Sequence, residues 1–209
     1  MAKRGIKYTL LVLLGAVLVY NSIYIKSLQA VKAANKGFDV DSYASNYLFK
    51  TIPKSTAAFT DFTSLRNALR ANPSEAFDAY SHAPSDGDIR YFMVNGSGVV
   101  VSKDSGYVWL EDSEKQHLKL ASQYIYGTAA RDAAGLVSVD SFDNTMLFNE
   151  VSEKINFLIK KQLSPALQQL AIGDALRFTG AIELNRKDPV LAETAIIPLH
   201  VEKLQNERR

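Results

Sequence analysis

The chain opens on its longest apolar run. After three basic residues, positions 8–25 are predominantly apolar. A run of about 18 residues is just long enough to cross a bilayer as a helix, and basic charge ahead of it favours a cytoplasmic N-terminus. The pattern predicts a single-pass anchor over residues 8–25, with residues 1–36 forming anchor and stalk. A cleaved signal peptide is the alternative, although Tyr20-Asn21-Ser22 matches a small-residue cleavage site poorly.

The pattern over residues 37–85 is that of short helices. Asp41 is the expected N-cap of a helix that ends before Pro53, and residues 61–71 place apolar side chains on one helical face. Pro73 suits the first position of a third helix. Together these segments predict a small helical domain.

From Asp86 the apolar positions alternate as in strands. The pattern predicts a tight hairpin turn at Asn95-Gly96 and a long helix from Asn144 through about Gln162. A further short helix begins at Ser164-Pro165. The predicted strands are residues 89–94, 98–101, 107–110, 117–126 and 136–139, and a terminal hairpin of 176–184 and 194–203. The fold class is therefore α+β: a transmembrane helix, a helical domain over 37–85, and an OB-like antiparallel β-barrel with a long helix over 86–204.

Between the fourth predicted strand and the long helix lies a stretch of small residues, positions 126–135, that contains one adjacent charge pair, Arg131 and Asp132. Arg131 could line a pocket and bind a carboxylate or a hydroxyl-rich ligand with its planar guanidinium. Alternatively, Arg131 bonds to strand-end carbonyls and Asp132 to backbone N–H groups, which fixes the junction of sheet and helix. Buried ion pairs more often fix an arrangement than catalyse, so the structural interpretation is favoured.

Composition narrows the classes of function. A chain of 209 residues that is 47% hydrophobic can bury a substantial core, as one domain or one domain with a small appendage. It contains no cysteine, which excludes disulfides and thiolate metal sites within this sequence. The formal net charge is +2, and the three basic residues at the N-terminus account for more than that. The nearly neutral remainder argues against a nucleic-acid partner.

Candidate catalytic groups are sparse. The three histidines lie far apart in sequence, so neither a metal nor another cofactor is expected, and no nucleophile-elbow motif is present. Asp39 and Asp41 suit a helix cap better than a calcium loop, and Glu111 and Asp112 are expected to be solvated. Five aromatic residues could form a sugar-stacking face, although sheet core is the favoured interpretation; they are Tyr91, Tyr107, Trp109, Tyr124 and Tyr126.

One set of residues resembles a known family. The set resembles the signature of the domain of unknown function 2291 family of predicted periplasmic lipoproteins, and its members are Gly127, Thr128, Arg131, Asp132, Phe142 and Asn144. The resemblance covers nearly everything beyond the predicted anchor. It departs from the family at Gly135, where proline is common, at Thr145, where glutamine is common, and in the lack of a cysteine for lipidation. Anchoring here would have to come from the helix itself.

The resemblance implies a small helical domain beside an OB-type barrel on the outer face of the inner membrane. It also implies an accessory role in sugar uptake by transporters of the ATP-binding cassette class, and it offers no catalytic residues to transfer. The leading hypothesis is a non-enzymatic, membrane-anchored periplasmic protein that binds a transporter component or a small sugar-like ligand. An envelope scaffold that binds another protein and an unrecognised hydrolase are the alternatives. Ligand identity and oligomeric state are left open.

Overall fold

The structure is a computed structural model that describes residues 8, 12–15, 17, 20, 37–55 and 59–204. The chain divides into two compact units, Met1–Phe38 and Asp39–Arg209. Most of the predicted anchor over residues 8–25, and the stalk up to residue 36, lie outside the described residues. Among the residues that are described, no helix has the length and apolar character needed to span a bilayer. The anchor therefore stays a prediction.

The second unit begins with helix α1, Val40–Asn46, which continues as a π-helical turn, Tyr47–Thr51, and a 3-10 turn, Ile52–Lys54. Its N-cap is Asp39, whose Oδ1 accepts a hydrogen bond from the Ser42 N–H at 2.9 Å. The expectation that Asp41 caps this helix is therefore wrong. Asp41 lies in the first turn, where its charge complements the helix dipole instead.

Two further helices match their predicted positions. Helix α2 spans Phe62–Ala71 behind Asp61, and helix α3 spans Pro73–Tyr80 behind Asn72. In each case the side chain before the helix accepts a hydrogen bond from the third N–H of the helix, which satisfies a donor that the helix itself cannot. A two-residue strand, β1 (Thr60–Asp61), precedes α2.

Five longer strands form a closed barrel. They are β2 (Ile89–Lys103), β3 (Tyr107–Glu111), β4 (His117–Ala121), β5 (Ala175–Asn185) and β6 (Ala195–Lys203). Neighbours around the barrel follow the order β2-β3-β4-β6-β5, and β5 pairs again with β2. All these pairings are antiparallel except β4 with β6. The predicted barrel and its terminal hairpin, β5 with β6, are confirmed.

The predicted hairpin at Asn95-Gly96 is wrong, because β2 runs straight through it and pairs with β5 along its first eleven residues. Gly96 lies opposite Phe178, and a Cβ on Gly96 would be 2.8 Å from the Phe178 Cζ. The glycine therefore allows a close approach of a buried ring and does not mark a turn.

Three other boundaries differ from the prediction. The fourth predicted strand, residues 117–126, corresponds to β4 and ends at Ala121, and residues 136–139 form no strand; Val139–Ser141 is a 3-10 turn. The long helix, α5, spans Thr145–Gln169 with Pro165 inside it, so no separate helix begins there. A proline inside a helix costs about 3 kcal/mol. The buried side chain of Leu167 and the hydrogen bond from the Ser164 hydroxyl to the Ser122 carbonyl offset that cost.

Helices and barrel share one hydrophobic core. Its buried residues include Phe62, Leu65 and Phe77 from α2 and α3, and Leu120 and Phe178 from the barrel. The predicted division between a helical domain at 37–85 and a barrel domain at 86–204 stays a prediction. Helix α5 and a short helix, α4 (Ala129–Asp132), connect β4 to β5 and carry the candidate site.

Candidate functional site

The charge pair singled out in the sequence is buried on α4. Arg131 and Asp132 are 2% and 3% exposed. Arg131 Nε donates to Asp132 Oδ1 at 2.6 Å, and Nη2 donates to Oδ2 at 2.9 Å. Such two-point pairing fixes both the distance and the plane of the guanidinium.

Further contacts tie this pair to two other helical segments. Arg131 Nη1 donates to the Phe148 carbonyl of α5 at 2.7 Å, and its guanidinium carbon lies 3.3 Å from the centre of the Phe148 ring. The Tyr47 hydroxyl donates to the Arg131 carbonyl at 2.6 Å, and burial together with nearby Asp132 raises the pKa of Tyr47. The partners differ from those expected: a helix carbonyl replaces strand-end carbonyls, and Asp132 binds the guanidinium and not backbone N–H groups.

The remaining motif residues have distinct positions. Thr128 precedes α4, and its hydroxyl donates to the Tyr91 hydroxyl at 2.8 Å. Phe142 is 9% exposed, and the centroid of its ring lies 5.5 Å from that of the Tyr43 ring and 5.3 Å from that of the Phe148 ring. Asn144 is the N-cap of α5, and its Oδ1 accepts from the Leu147 N–H at 3.0 Å. These contacts pack and cap the junction.

Two glycines near the motif have positive φ angles, +79° at Gly127 and +65° at Gly135. A proline, which is held near −65°, could not adopt the conformation of Gly135. The proline noted at this position in the resembled family would therefore not fit the backbone conformation of this chain.

A cavity with a volume of about 550 Å³ lies next to the motif. We call it the helix pocket, and it lies between residues 125–128 and one face of α5. On that face the lining residues recur at helical spacing; they are Asn149, Ser152, Glu153, Asn156, Phe157 and Lys160. Gly127 and Thr128 line the pocket, whereas Arg131 does not. Two motif residues therefore form part of the pocket wall, while Arg131 contacts α5 without lining the pocket.

Two buried polar atoms at the helix pocket have no hydrogen-bond partner in the described structure: Ser152 Oγ and Asn156 Oδ1. These residues are only 5% and 8% exposed. The Asn156 amide nitrogen donates to the Gly127 carbonyl at 2.9 Å, which leaves its oxygen as a free acceptor. Buried polar groups are nearly always paired in folded proteins, so such atoms beside a cavity point to a ligand or ordered water.

The contacts of Arg131 explain why the Ser152 hydroxyl is left over. A serine inside a helix can donate to the carbonyl four residues earlier, which for Ser152 is that of Phe148. Arg131 Nη1 already donates to that carbonyl at 2.7 Å. The buried pair thus leaves a hydroxyl beside the helix pocket without its usual local acceptor.

Four of the five aromatic residues do not form sheet core, which corrects the favoured interpretation of the sequence, whereas Tyr91 is half-buried on β2. Tyr124 and Tyr126 are 50% and 70% exposed, and Tyr107 and Trp109 lie on the outer face of β3 while their neighbours Val108 and Leu110 are buried. Tyr126 lines the helix pocket, and Phe157, 54% exposed, lies on its other side.

Other sequence candidates are dispersed. Asp112 is not solvated as expected but 7% exposed, and it binds Arg66 Nη1 at 2.7 Å. Burial opposes its ionisation, yet hydrogen bonds from the Gln116 N–H and from Arg66 hold the pKa of Asp112 below its usual value.

Asp132 and His82 line a smaller cavity of about 270 Å³, and burial lowers the pKa of His82. Within the described residues, no three histidine or carboxylate side chains are grouped as metal ligands.

The sequence analysis did not identify Ser152, Asn156 or Phe157. The sequence does contain a pattern that could have indicated them, because the pocket-lining residues recur every three or four positions beside the apolar stripe of α5. That pattern is also typical of the solvated face of any amphipathic helix. Only the loop at residues 125–128, folded over this face, distinguishes a pocket from a surface.

Comparisons with known proteins agree with the fold. A solved structure of an OB-fold protein from Thermotoga maritima is similar over 80% of this chain and 99% of its own, with a TM-score of 0.72 and 22% identity. This likeness supports an α+β OB-like fold. No curated protein sequence matches the chain. The family model described as predicted periplasmic lipoprotein, domain of unknown function 2291, matches residues 13–202. The chain belongs to this family, which supports a periplasmic, membrane-associated protein.

Proposed function

We propose that this protein is a non-enzymatic binding protein of the cell envelope that holds a sugar in the helix pocket. The observation that carries the proposal is the pair of unpartnered polar atoms, Ser152 Oγ and Asn156 Oδ1, beside a cavity of about 550 Å³. A pocket of this volume falls in the range of small-molecule sites.

The chemistry of the lining suits a neutral, hydroxyl-rich ligand. A sugar hydroxyl can donate to Asn156 Oδ1 and accept from the Ser152 hydroxyl, because each hydroxyl is both donor and acceptor. The exposed rings of Tyr126 and Phe157 offer apolar faces to the C–H groups of a sugar ring. Glu153 and Lys160 bring one charge of each sign to the lining, so the pocket does not favour a strongly charged ligand.

The proposed role is accessory to sugar import by a transporter of the ATP-binding cassette class, with the protein held at the inner membrane by residues 8–25. The resemblance to the family motivates this partnership, and the family's periplasmic description supports the location. A pull-down from membranes should recover transporter components, and deletion should impair sugar uptake. Recovery of none, together with normal uptake, would contradict the partnership.

Two features support a binding role without catalysis. Both oxygens of Asp132 accept hydrogen bonds from Arg131, and no described hydrogen bond joins this carboxylate to the histidine in the adjacent cavity, His82. Among the described side chains, neither His82 nor Ser138 donates a hydrogen bond to the other, as a serine nucleophile and its base would.

The test is a thermal-shift screen of the full chain against sugars and sugar acids. A ligand at 100 times its dissociation constant adds about 2.7 kcal/mol to stability. Ser152→Ala should weaken binding of the active sugar by about tenfold, the effect of about 1.4 kcal/mol for one lost hydrogen bond. Ser64→Ala, at an exposed position of α2, is the matched control. Absence of any shift, or unchanged affinity in Ser152→Ala, would overturn the proposal.

A second groove favours the scaffold alternative. It has a volume of about 400 Å³ and apolar walls that include Phe62, Leu69 and Val190, and the last of these is 41% exposed. Arg66 Nε is buried at this groove without a partner in the described structure. An apolar side chain of another protein would fit this groove if a backbone carbonyl of that protein accepted a hydrogen bond from Arg66 Nε. Recovery of a partner protein that the exposed substitution Val190→Glu abolishes, without any sugar binding, would favour this function instead.

A further inference from the structure

The outer face of the barrel carries a second group of aromatic side chains, which we call the aromatic platform: Tyr107, Trp109 and Tyr124. The rings of Tyr107 and Tyr124 are tilted, with centroids 5.3 Å apart. Trp109 follows Tyr107 by two residues on the same face of β3. Half of the Tyr124 surface is exposed, so the platform presents large apolar area to solvent.

The turn between β2 and β3 holds these rings in place. Asp104 Oδ1 accepts from the N–H groups of Gly106 and Tyr107, both at 2.8 Å, and Oδ2 accepts from the Trp109 indole N–H at 3.2 Å. A Cβ on Gly106 would lie 2.1 Å from the Tyr124 ring, so this ring rests directly on bare backbone. Side chains ordered before binding lose less conformational entropy when a ligand arrives.

The platform is continuous with the helix pocket. Tyr124 belongs to the platform and Tyr126 to the pocket, and two residues span at most about 7 Å of chain. Burial raises the pKa of Tyr107, and the phenols of Tyr126 and Tyr124 raise it further, as expected of three side chains grouped together. A ligand that leaves the pocket past Tyr126 therefore meets the platform next.

We propose that the ligand is an unbranched oligosaccharide that places one sugar in the helix pocket and the following sugars on the aromatic platform. This inference rests on the proposed function and names the ligand class more closely. Stacking on aromatic rings would also suit single-stranded nucleic acid, which requires a cationic groove along its phosphates. Only one cation lies over the described platform rings, Lys119, at 4.9 Å from Tyr107 and 5.6 Å from Trp109, and the Asp104 carboxylate bonds to the Trp109 indole.

Trp109 is the only tryptophan in the chain, so its fluorescence reports on the platform alone. The experiment titrates the full chain with the sugar found by the screen and with its unbranched oligomers of two to four units. Affinity should rise at least tenfold from one to three units. Trp109 emission should change with the oligomers and not with the single sugar.

Variants separate the two sites. Tyr124→Ala should remove the gain in affinity with length while the single sugar still binds, and Ser152→Ala should weaken every length. Tyr80→Ala, an exposed tyrosine on α3, is the control for loss of an aromatic ring and should change nothing.

The outcomes distinguish the two proposals. Equal affinity for all lengths, with Trp109 emission unchanged, would overturn the oligosaccharide inference while leaving sugar binding intact. No binding of a sugar of any length would overturn the proposed function as well. Binding of a single-stranded oligonucleotide in place of sugars, with quenching of Trp109, would also overturn both.

Discussion

At the scale of single residues, Arg131 has two consequences in one set of contacts. Its guanidinium donates hydrogen bonds to Asp132 and to the Phe148 carbonyl and stacks on the face of the Phe148 ring. These contacts join α4 to α5. By engaging that carbonyl it leaves the Ser152 hydroxyl available beside the helix pocket. Under the proposed function, Arg131 would influence binding without touching the ligand.

Removal of either partner of the buried pair should be costly. Arg131→Ala or Asp132→Ala should lower the free energy of unfolding by about 3–5 kcal/mol, because each leaves an uncompensated buried charge. The double variant Arg131→Met with Asp132→Leu should lose less than the two single losses added together. Urea unfolding of the full chain measures all three.

The control for this prediction is Arg177→Ala, which breaks an exposed pair with Glu202 at 3.9 Å and should cost at most about 1 kcal/mol. If Arg131→Ala unfolds no more easily than this control yet no longer binds sugar, the ligand-binding interpretation of Arg131 is right and the structural one is wrong.

At the scale of elements, the sequence predicts what its local signals determine. Helices α2 and α3 were placed correctly because Asp61 and Asn72 mark their starts with side-chain caps. The terminal hairpin was found because β5 alternates over part of its length, β6 carries an apolar run at residues 196–199, and the polar residues 185–188 separate the two. Each of these signals lies within a few residues of the structure it specifies.

The errors arise where distant packing outweighs a local signal. Asn95-Gly96 has turn chemistry, but pairing of β2 with β5 across the barrel keeps the strand extended. Pro165 has the chemistry of a helix end, but packing of Leu167 keeps α5 helical beyond it. The helix pocket was missed for the same reason, since it requires α5 and residues 125–128 to meet.

The position of Gly96 gives a direct test of this explanation. Gly96→Ala should destabilise the protein by about 1–3 kcal/mol, because its Cβ would overlap the buried Phe178 ring. Gly87→Ala is the matched control, since no atom lies within 4 Å of the added methyl group, and it should be nearly neutral. Chemical denaturation compares the two variants, and equal stabilities would argue for a turn with room for a side chain.

At the scale of the whole molecule, the proposed function requires the second unit to lie outside the cytoplasm. The closed barrel and α5 carry the proposed binding site, and a family of predicted periplasmic lipoproteins supports the compartment. Lipidated members are held by a modified cysteine, which these 209 residues lack. The apolar run at residues 8–25 is the feature of this sequence that could replace it.

The anchor can be tested by topology and by mass. A phosphatase that is active only outside the cytoplasm, fused after the last residue, should be active, and the fusion should remain with membranes after alkaline extraction. The unfused chain should keep its full 23.1 kDa. A fusion lacking residues 1–36 should be inactive and soluble. A mature chain lighter by roughly 2–3 kDa and released from membranes would show that the apolar run is a cleaved signal peptide instead.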